Sequence, residues 1–211
     1  DKEIIVVNDG STDTTAESLR VWRGHPIVRV ISHDSNQGKG AAIRTAVRAS
    51  SGTYTLIQDA DLEYAPEDLN RVLTPLVAGD AEVVYGSRYM HAARHPQFIS
   101  HYGVKLLNLL IQLLYKVQLT DHATCYKAFH TDLLRRMDLQ CTNFEFCTEV
   151  TAKACRMGIC ISVVPIRYAP RDYASGKKIG PLDGFRSIVS LFRYRFWSEQ
   201  RRPQAAPSIR F

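Results

Sequence analysis

Among the five cysteines (Cys125, Cys141, Cys147, Cys155, Cys160) there is no Cys-x-x-Cys pair, and the count is odd. That argues against zinc and for reduced, buried thiols in a cytosolic protein. No Gly-x-x-x-x-Gly-Lys-Ser/Thr string occurs, so a P-loop is excluded. No segment reaches the roughly 20 mostly apolar residues that a spanning helix needs. No secretory leader, internal repeat, domain linker or nucleic-acid module is read. What is present is a net charge of +6 over 211 residues. The length suits one large α/β domain, and the charge suits acidic partners such as nucleotides, phosphates or an anionic membrane surface.

The first ninety residues alternate strand and helix. Strands are predicted near 3–8, 27–32, 53–58 and 82–86, and helices near 13–23, 39–50 and 66–78. Ser11-Thr12-Asp13 caps one helix, and Pro66 opens another with Glu67 and Asp68 behind it. Such alternation predicts a parallel, doubly wound sheet. In the second half, His101–Leu119 reads as a helix with a broad apolar face and a polar stripe of Lys105, Asn108, Gln112 and Lys116. A strand near 126–129, a helix near 142–157, a strand over 159–166, a basic loop over 167–179 and a helix over 182–197 follow. The expected organisation is one domain over 1–197, split into a nucleotide-sugar half (1–90) and an acceptor half (91–197), with a flexible tail over 198–211.

Candidate chemistry gathers where predicted strands end. Thr53–Gln58 runs into Asp59-Ala60-Asp61-Leu62-Glu63, which places two carboxylates at the mouth of an α/β sheet, where such folds bind ligands. Oxygen ligands there suit Mg²⁺ or Mn²⁺, which are held by one or two carboxylates plus substrate phosphates. An exposed acidic turn leading to the Pro66 helix is the plainer alternative. Asp9, after the first strand, either contacts a nucleobase or ribose or caps the next helix. Gly38-Lys39-Gly40 can bring backbone N–H groups and a cation to a nucleotide, or be loop geometry alone. Arg88, Lys127, Arg171, Lys177 and Lys178 follow strands or lie in a Gly-containing loop, and together they suit phosphate oxygens. His91, His95 and His101 match no metal-ligand spacing. Glu145 is either a base or a first-turn helix acid.

These motifs, in their order, resemble the family 2 glycosyltransferases of GT-A fold, and within them the dolichyl-phosphate mannose synthases and polyprenyl-phosphate glucosyltransferases. The marks are Val7-Asn8-Asp9-Gly10-Ser11-Thr12-Asp13, Asn36-Gln37-Gly38-Lys39-Gly40, Asp59-Ala60-Asp61-Leu62-Glu63, Gly86-Ser87-Arg88-Tyr89, Thr124-Cys125-Tyr126-Lys127 and Gly176-Lys177-Lys178-Ile179. The resemblance spans about 3–197 and implies an α/β, Rossmann-like, mostly parallel sheet flanked by helices. It implies that Asp9, Gly38, Lys39, Asp59, Ala60, Arg171 and Lys177 bind the nucleotide-sugar. Asp59, Asp61 and Glu63 would lie at a Mg²⁺ or Mn²⁺ ion, and Asp61, Arg88 and Lys127 would be catalytic, the last two holding an acceptor phosphate. Three departures stand out. The strand that carries a Pro and a Tyr-Asn-Glu-like turn in the family is expected upstream of Asp1. Cys125 replaces a glycine, and Glu63 stands where mannose synthases often have Gln.

The implied reaction is inverting transfer of a hexose from GDP-mannose or UDP-glucose to a polyprenyl or dolichyl phosphate. A phosphate acceptor is already ionised near neutral pH and needs no general base, whereas a sugar hydroxyl does. Leu182, Phe185, Ile188, Val189, Leu191, Phe192 and Phe196, mixed with Arg186, Arg193 and Arg195, make the last helix basic and amphipathic. It suits the cytoplasmic surface of a membrane, or packing on its own domain. A transferase acting on saccharide hydroxyls and a silent nucleotide-sugar-binding module are the alternatives. Nucleic acid is not an expected partner.

Overall fold

The computed structural model describes residues 1–90, 98–170 and 180–199. Their order is β1 (Ile4–Asn8), α1 (Thr15–Ser18), β2 (Val28–Ser32), α2 (Lys39–Ala49), β3 (Tyr54–Ile57), α3 (Leu69–Val77) and β4 (Val83–Ser87) in the first half. Then come α4 (Phe98–Tyr115), β5 (Lys127–His130), α5 (Thr131–Arg136), α6 (Phe146–Arg156), β6 (Ile161–Pro165) and α7 (Pro181–Tyr194). Two 3₁₀ turns, Leu19–Trp22 and Pro66–Asp68, take residues assigned above to longer helices. His91, His95, Arg171, Lys177, Lys178 and residues 200–211 lie outside the described residues.

β1 and β2 pair in parallel, and the other strands form a mixed sheet in the order β3-β5-β4-β6. β4 runs parallel to β6, while β5 is antiparallel to both β3 and β4. So β3, β4 and β6 point the same way, and β5 runs against them. Hydrophobic alternation carries no strand direction, so β5 could not be oriented from its residues. The reversal decides the site's position: the carboxyl ends of β3, β4 and β6 and the start of β5 share one edge.

β4 explains itself as a centre strand. Val83, Val84 and Tyr85 are wholly buried, the near-continuous apolar run of a strand covered on both faces. α3 lays Val72 and Leu76 against it, and α6 adds Phe146 and Val150 to the same core. α5 was not expected, since six residues are too few to show a helical period; it buries Leu133 and Leu134. α4 ends at Tyr115, short of the expected Leu119, because Lys116 turns to a left-handed φ of 61°. Its stripes also differ from the simple expectation. Asn108 donates to the Thr120 carbonyl at 2.9 Å, while Leu106, Leu109 and Leu113 face outward, each more than half exposed. Among the described residues, no helix is long and apolar enough to cross a membrane. Cys125 and Cys141 are buried free thiols as expected, but Cys160 is exposed.

Candidate active site

The first component is the turn that precedes α2. Asp9 follows β1, and its Oδ1 accepts the Gln37 N–H at 3.0 Å while Oδ2 accepts the Gly38 N–H at 2.7 Å. The His33 Nδ1 lies 2.7 Å from Asp9 Oδ1, and its Nε2 lies 3.0 Å from Thr45 Oγ1. Partial burial works to raise the Asp9 pKa, but these N–H donors and the imidazole outweigh it and hold the carboxyl below its usual value. Asp9 therefore does not cap α1. It staples the Asn36–Gly38 turn to β1, and His33 and Thr45 extend the staple into α2. Sequence reading missed His33, because a lone histidine after a strand carries no local signal.

That staple aims Lys39, the first residue of α2. Its Nζ lies 2.6 Å from Asp59 Oδ2, so the basic turn and the acidic turn meet across the sheet edge. Burial works to lower the Lys39 pKa, but the Asp59 carboxylate more than offsets this, and the ammonium is held above its ordinary value.

The acidic turn is held from behind. The Asp59 N–H donates to Cys125 Sγ at 2.9 Å, and the Cys125 N–H donates to the Tyr64 hydroxyl at 3.0 Å. Cys125 thus grips both ends of Asp59–Tyr64, and burial keeps its thiol well above the ordinary pKa, hence protonated. Within the turn, the Glu63 N–H donates to Asp61 Oδ1 at 3.3 Å, and Leu62 takes φ 60° with its side chain 91% exposed. Glu63 looks toward the chain leaving β6: Tyr168 donates its hydroxyl to Glu63 Oε2 at 2.9 Å, and the Ala169 N–H donates to the Glu63 carbonyl at 2.9 Å. Tyr168 also lies under the Arg88 guanidinium, 5.1 Å from its ring centroid. The segment that leads to residue 171 is therefore anchored on the acidic turn.

Two expected acceptor contacts are placed differently from the sequence reading. Arg88 does follow the end of β4 at the shared edge, but its guanidinium forks onto Asp121, Nε to Oδ2 at 2.7 Å and Nη2 to Oδ1 at 2.8 Å. Its side chain is 15% exposed and that of Asp121 is fully buried. Burial disfavours both charges, yet the pairing holds Arg88 well above and Asp121 below their ordinary values. Lys127 is wholly buried. Its ammonium donates to the Thr124 carbonyl, approaches Cys147 Sγ at 3.5 Å and sits 4.6 Å from the Tyr85 ring centroid. It cannot touch an acceptor from there, because the first residue of an antiparallel strand is tucked between Ile57 and Tyr85. Burial depresses its pKa.

Of the two lone carboxylates considered as bases, Asp121 is engaged on both oxygens and Glu145 on one, its buried Oε2 having no hydrogen-bond partner among the described residues. Asp121 belongs to Arg88. Glu145 Oε1 accepts the Thr142 and Asn143 N–H groups at 3.2 and 3.3 Å, which is helix-start chemistry for α6.

His122 lies beside Asp121 and is buried, with Nδ1 2.7 Å from Asn108 Oδ1. Burial and the nearby Lys127 push its pKa down to about 3. The unfolded imidazole, near 6.5, then takes up a proton that the folded one refuses. Stability is therefore expected to fall as pH drops below that value. An NMR pH series should show no His122 titration; resonances moving between about pH 5 and 8 would contradict its neutral burial.

A divalent metal needs oxygen ligands at this edge. Among the described residues, no group of three or more His, Cys, Asp or Glu converges on one point. Mg²⁺ and Mn²⁺ do not require such a cage, since phosphates and water complete their shells. Asp59 and Asp61 on one turn could supply oxygen ligands, and Asp59 Oδ2 already accepts a cation, the Lys39 ammonium, at 2.6 Å. The residues fit the ion.

Comparison with known proteins places the chain in a family. Residues 1–138 match the model for glycosyl transferase family 2. Glycosyltransferase AglJ of Haloferax volcanii is 28% identical over 193 residues, which are 90% of this chain and 62% of that protein. The chain thus spans less than two thirds of AglJ. An undecaprenyl-phosphate mannosyltransferase of Micrococcus luteus is 26% identical, covering 92% of this chain and 82% of the relative. Among solved structures, the glucosyl-3-phosphoglycerate synthase of Mycobacterium tuberculosis, in complex with Mn²⁺, UDP-glucose and phosphoglyceric acid, superposes with a TM-score of 0.65. That match has 18% identity over 90% of this chain and 68% of the other, and it shows the fold, which is GT-A. With strand ends, acidic turn and family model in agreement, this chain belongs to glycosyl transferase family 2.

Proposed function

We propose that the protein transfers a hexose from a nucleotide-sugar, GDP-mannose or UDP-glucose, to a polyprenyl phosphate at a membrane surface, with inversion. The observation that carries this reading is a groove of about 420 Å³ beside the end of β4. Val104, Leu109 and Leu119 give it one apolar wall, Tyr89 follows Arg88 into it, and Lys105, Asn108, Gln112, Gln118 and Thr120 make the rest polar. A groove with one apolar wall, polar groups and a cation suits the phosphate end of an isoprenoid chain. The relative from Micrococcus luteus, named for undecaprenyl phosphate, supports the same acceptor class.

Asp59 and Asp61 would hold Mg²⁺ or Mn²⁺, with Glu63 at the edge of that site. The ion, when bound, offsets charge growing on the diphosphate leaving group. The chain's own residues do the rest. Asp9 fixes the turn on which the nucleotide would lie, with Gly38, Lys39 and Ala60 lining the approach. Arg88, kept charged and oriented by Asp121, would direct the acceptor phosphate toward the acidic turn. Lys127 contributes only its field, from beneath the sheet edge. Arg171 and Lys177 would close on the donor diphosphate, a role suited to the chain that Tyr168 anchors beside Glu63. Asp121 is committed to Arg88 on both oxygens, which favours a phosphate acceptor that needs no base, while Glu145 is held through Oε1 alone. Positioning and charge stabilisation then supply the rate.

The outward faces of α4 and α7 suit a lipid surface. Leu106, Leu109 and Leu113 on α4 and Phe185, Val189 and Phe192 on α7 are exposed, with Lys105, Arg186 and Arg193 nearby in sequence. The test uses the complete protein with Mn²⁺ or Mg²⁺, both nucleotide-sugars and a short polyprenyl phosphate. Glycosylated polyprenyl phosphate is the expected product; transfer to free saccharides only would overturn the lipid reading.

A further inference from the structure

Lys39 is an odd residue for its place. It opens α2, an 11-residue helix, where the helix dipole favours an acid over a base. Its ammonium turns inward to Asp59, and the two side chains keep only 22% and 28% of their exposure.

Both ends of that contact are rigidly mounted. Asp9 grips Gln37 and Gly38. Gly38 has φ 94°, and a Cβ there would run into Asn143 Oδ1 and the Thr142 carbonyl at 2.3 Å. The Ala41 N–H donates to that same carbonyl at 3.1 Å. On the other side, Cys125 Sγ holds the Asp59 N–H. The ammonium is thus delivered to one oxygen of the acidic turn by two elements that have little freedom to part.

We infer that Lys39 is the resident counter-cation of Asp59, exchanged for the divalent metal only when a nucleoside diphosphate arrives with it. The inference rests on the two-carboxylate metal reading above. A bare divalent ion seeking Asp59 Oδ2 meets an ammonium already there, and like charges repel. A diphosphate changes this, because its oxygens offer Lys39 a new anionic partner as the metal takes the carboxylate. One side chain then makes metal and diphosphate binding interdependent, and the dependence is reciprocal. Lys39 is in this sense a positioning residue, keeping Asp59 oriented and its charge offset while no donor is bound.

The test measures Mn²⁺ affinity of the complete protein by electron paramagnetic resonance, alone and with UDP or GDP, after subtracting Mn²⁺ bound by free nucleotide. Wild type is expected to bind Mn²⁺ about tenfold more tightly with the matching diphosphate than without it. In Lys39→Gln, Mn²⁺ alone should bind about tenfold more tightly than in wild type, and the gain from diphosphate should shrink by a similar factor. Lys39→Arg, which keeps the charge, should retain the gain. A merely structural loss would weaken Mn²⁺ binding in Lys39→Gln, so weaker or unchanged affinity in that variant overturns the inference. Wild type that binds no Mn²⁺ with either diphosphate overturns the metal reading itself, and the inference with it.

Discussion

Asp61→Ala is expected to lower sugar transfer by about 10²–10³-fold and to abolish metal-dependent donor binding, with the fold intact. The size is that of removing one electrostatic group that acts on a developing charge. The reason is local. Asp59 shares its carboxylate with Lys39, whereas Asp61 lies two residues on, at the open end of a turn held from behind by Cys125 and Tyr64. Its Oδ1 accepts the Glu63 N–H at 3.3 Å, a contact within the same turn. Donor affinity measured by calorimetry with and without Mn²⁺ reads the effect directly. An unchanged affinity for the metal–donor complex would remove Asp61 from the site. Unchanged circular dichroism would assign the loss to chemistry and not to folding.

Glu149→Ala should cost about 3–5 kcal/mol of stability, a large part of the roughly 5–15 kcal/mol that holds a domain folded. Glu149 and Lys153 lie one turn apart on α6, both with no exposed surface, at 2.5 Å. The carboxylate also accepts the Gln140 and Cys141 N–H groups at 2.8 and 2.7 Å, and the ammonium reaches the Asp138 carbonyl at 2.9 Å. Lys153 further lies 4.6 Å from the Tyr194 ring centroid, which joins α6 to α7. Truncating the acid leaves the Lys153 charge buried without its carboxylate and the buried Cys141 N–H without a partner. Urea unfolding followed by circular dichroism measures the loss. Glu149→Leu combined with Lys153→Met removes both charges and should recover part of it.

The pair also sets an acid limit. Burial works to raise the Glu149 pKa, but the Lys153 ammonium and the two N–H donors prevail and hold it below the ordinary 4.5. Its contribution is therefore complete above 4.5 and is lost as pH falls through the lower folded value. The effect should reach the site, since the loop fixed by Glu149 leads to Thr142, whose carbonyl seats the start of α2.

Much of this was open to a reader of residues. β1 to β4, α2 and α3 follow from alternation, capping and Gly or Pro punctuation. The acidic turn was legible because two carboxylates after an apolar strand have no packing use. Arg88 was correctly placed at the same edge by the same logic. Legibility ended where a side chain's partner lies far along the chain. Arg88 and Asp121 are 33 residues apart, and His33 and Asp9 are 24 apart. Nothing in either neighbourhood announces the other. Lys127 reads as a phosphate ligand by residue type and as a buried strut by position. Glu145 reads as a base by type and as a helix-start acid by its two N–H partners.

Family, motif order and the residues able to carry charge to a sheet edge all follow from the chain read residue by residue. Those are local properties: period, turn chemistry and side-chain type. Which of those charges acquire partners depends on the folded arrangement. The reversal of β5 buries Lys127 while setting Cys125 behind Asp59, and the meeting of α2 with β3 gives Asp59 its ammonium. Strand direction and long-range pairing depend on how the whole chain closes over its core, and no window of residues contains that.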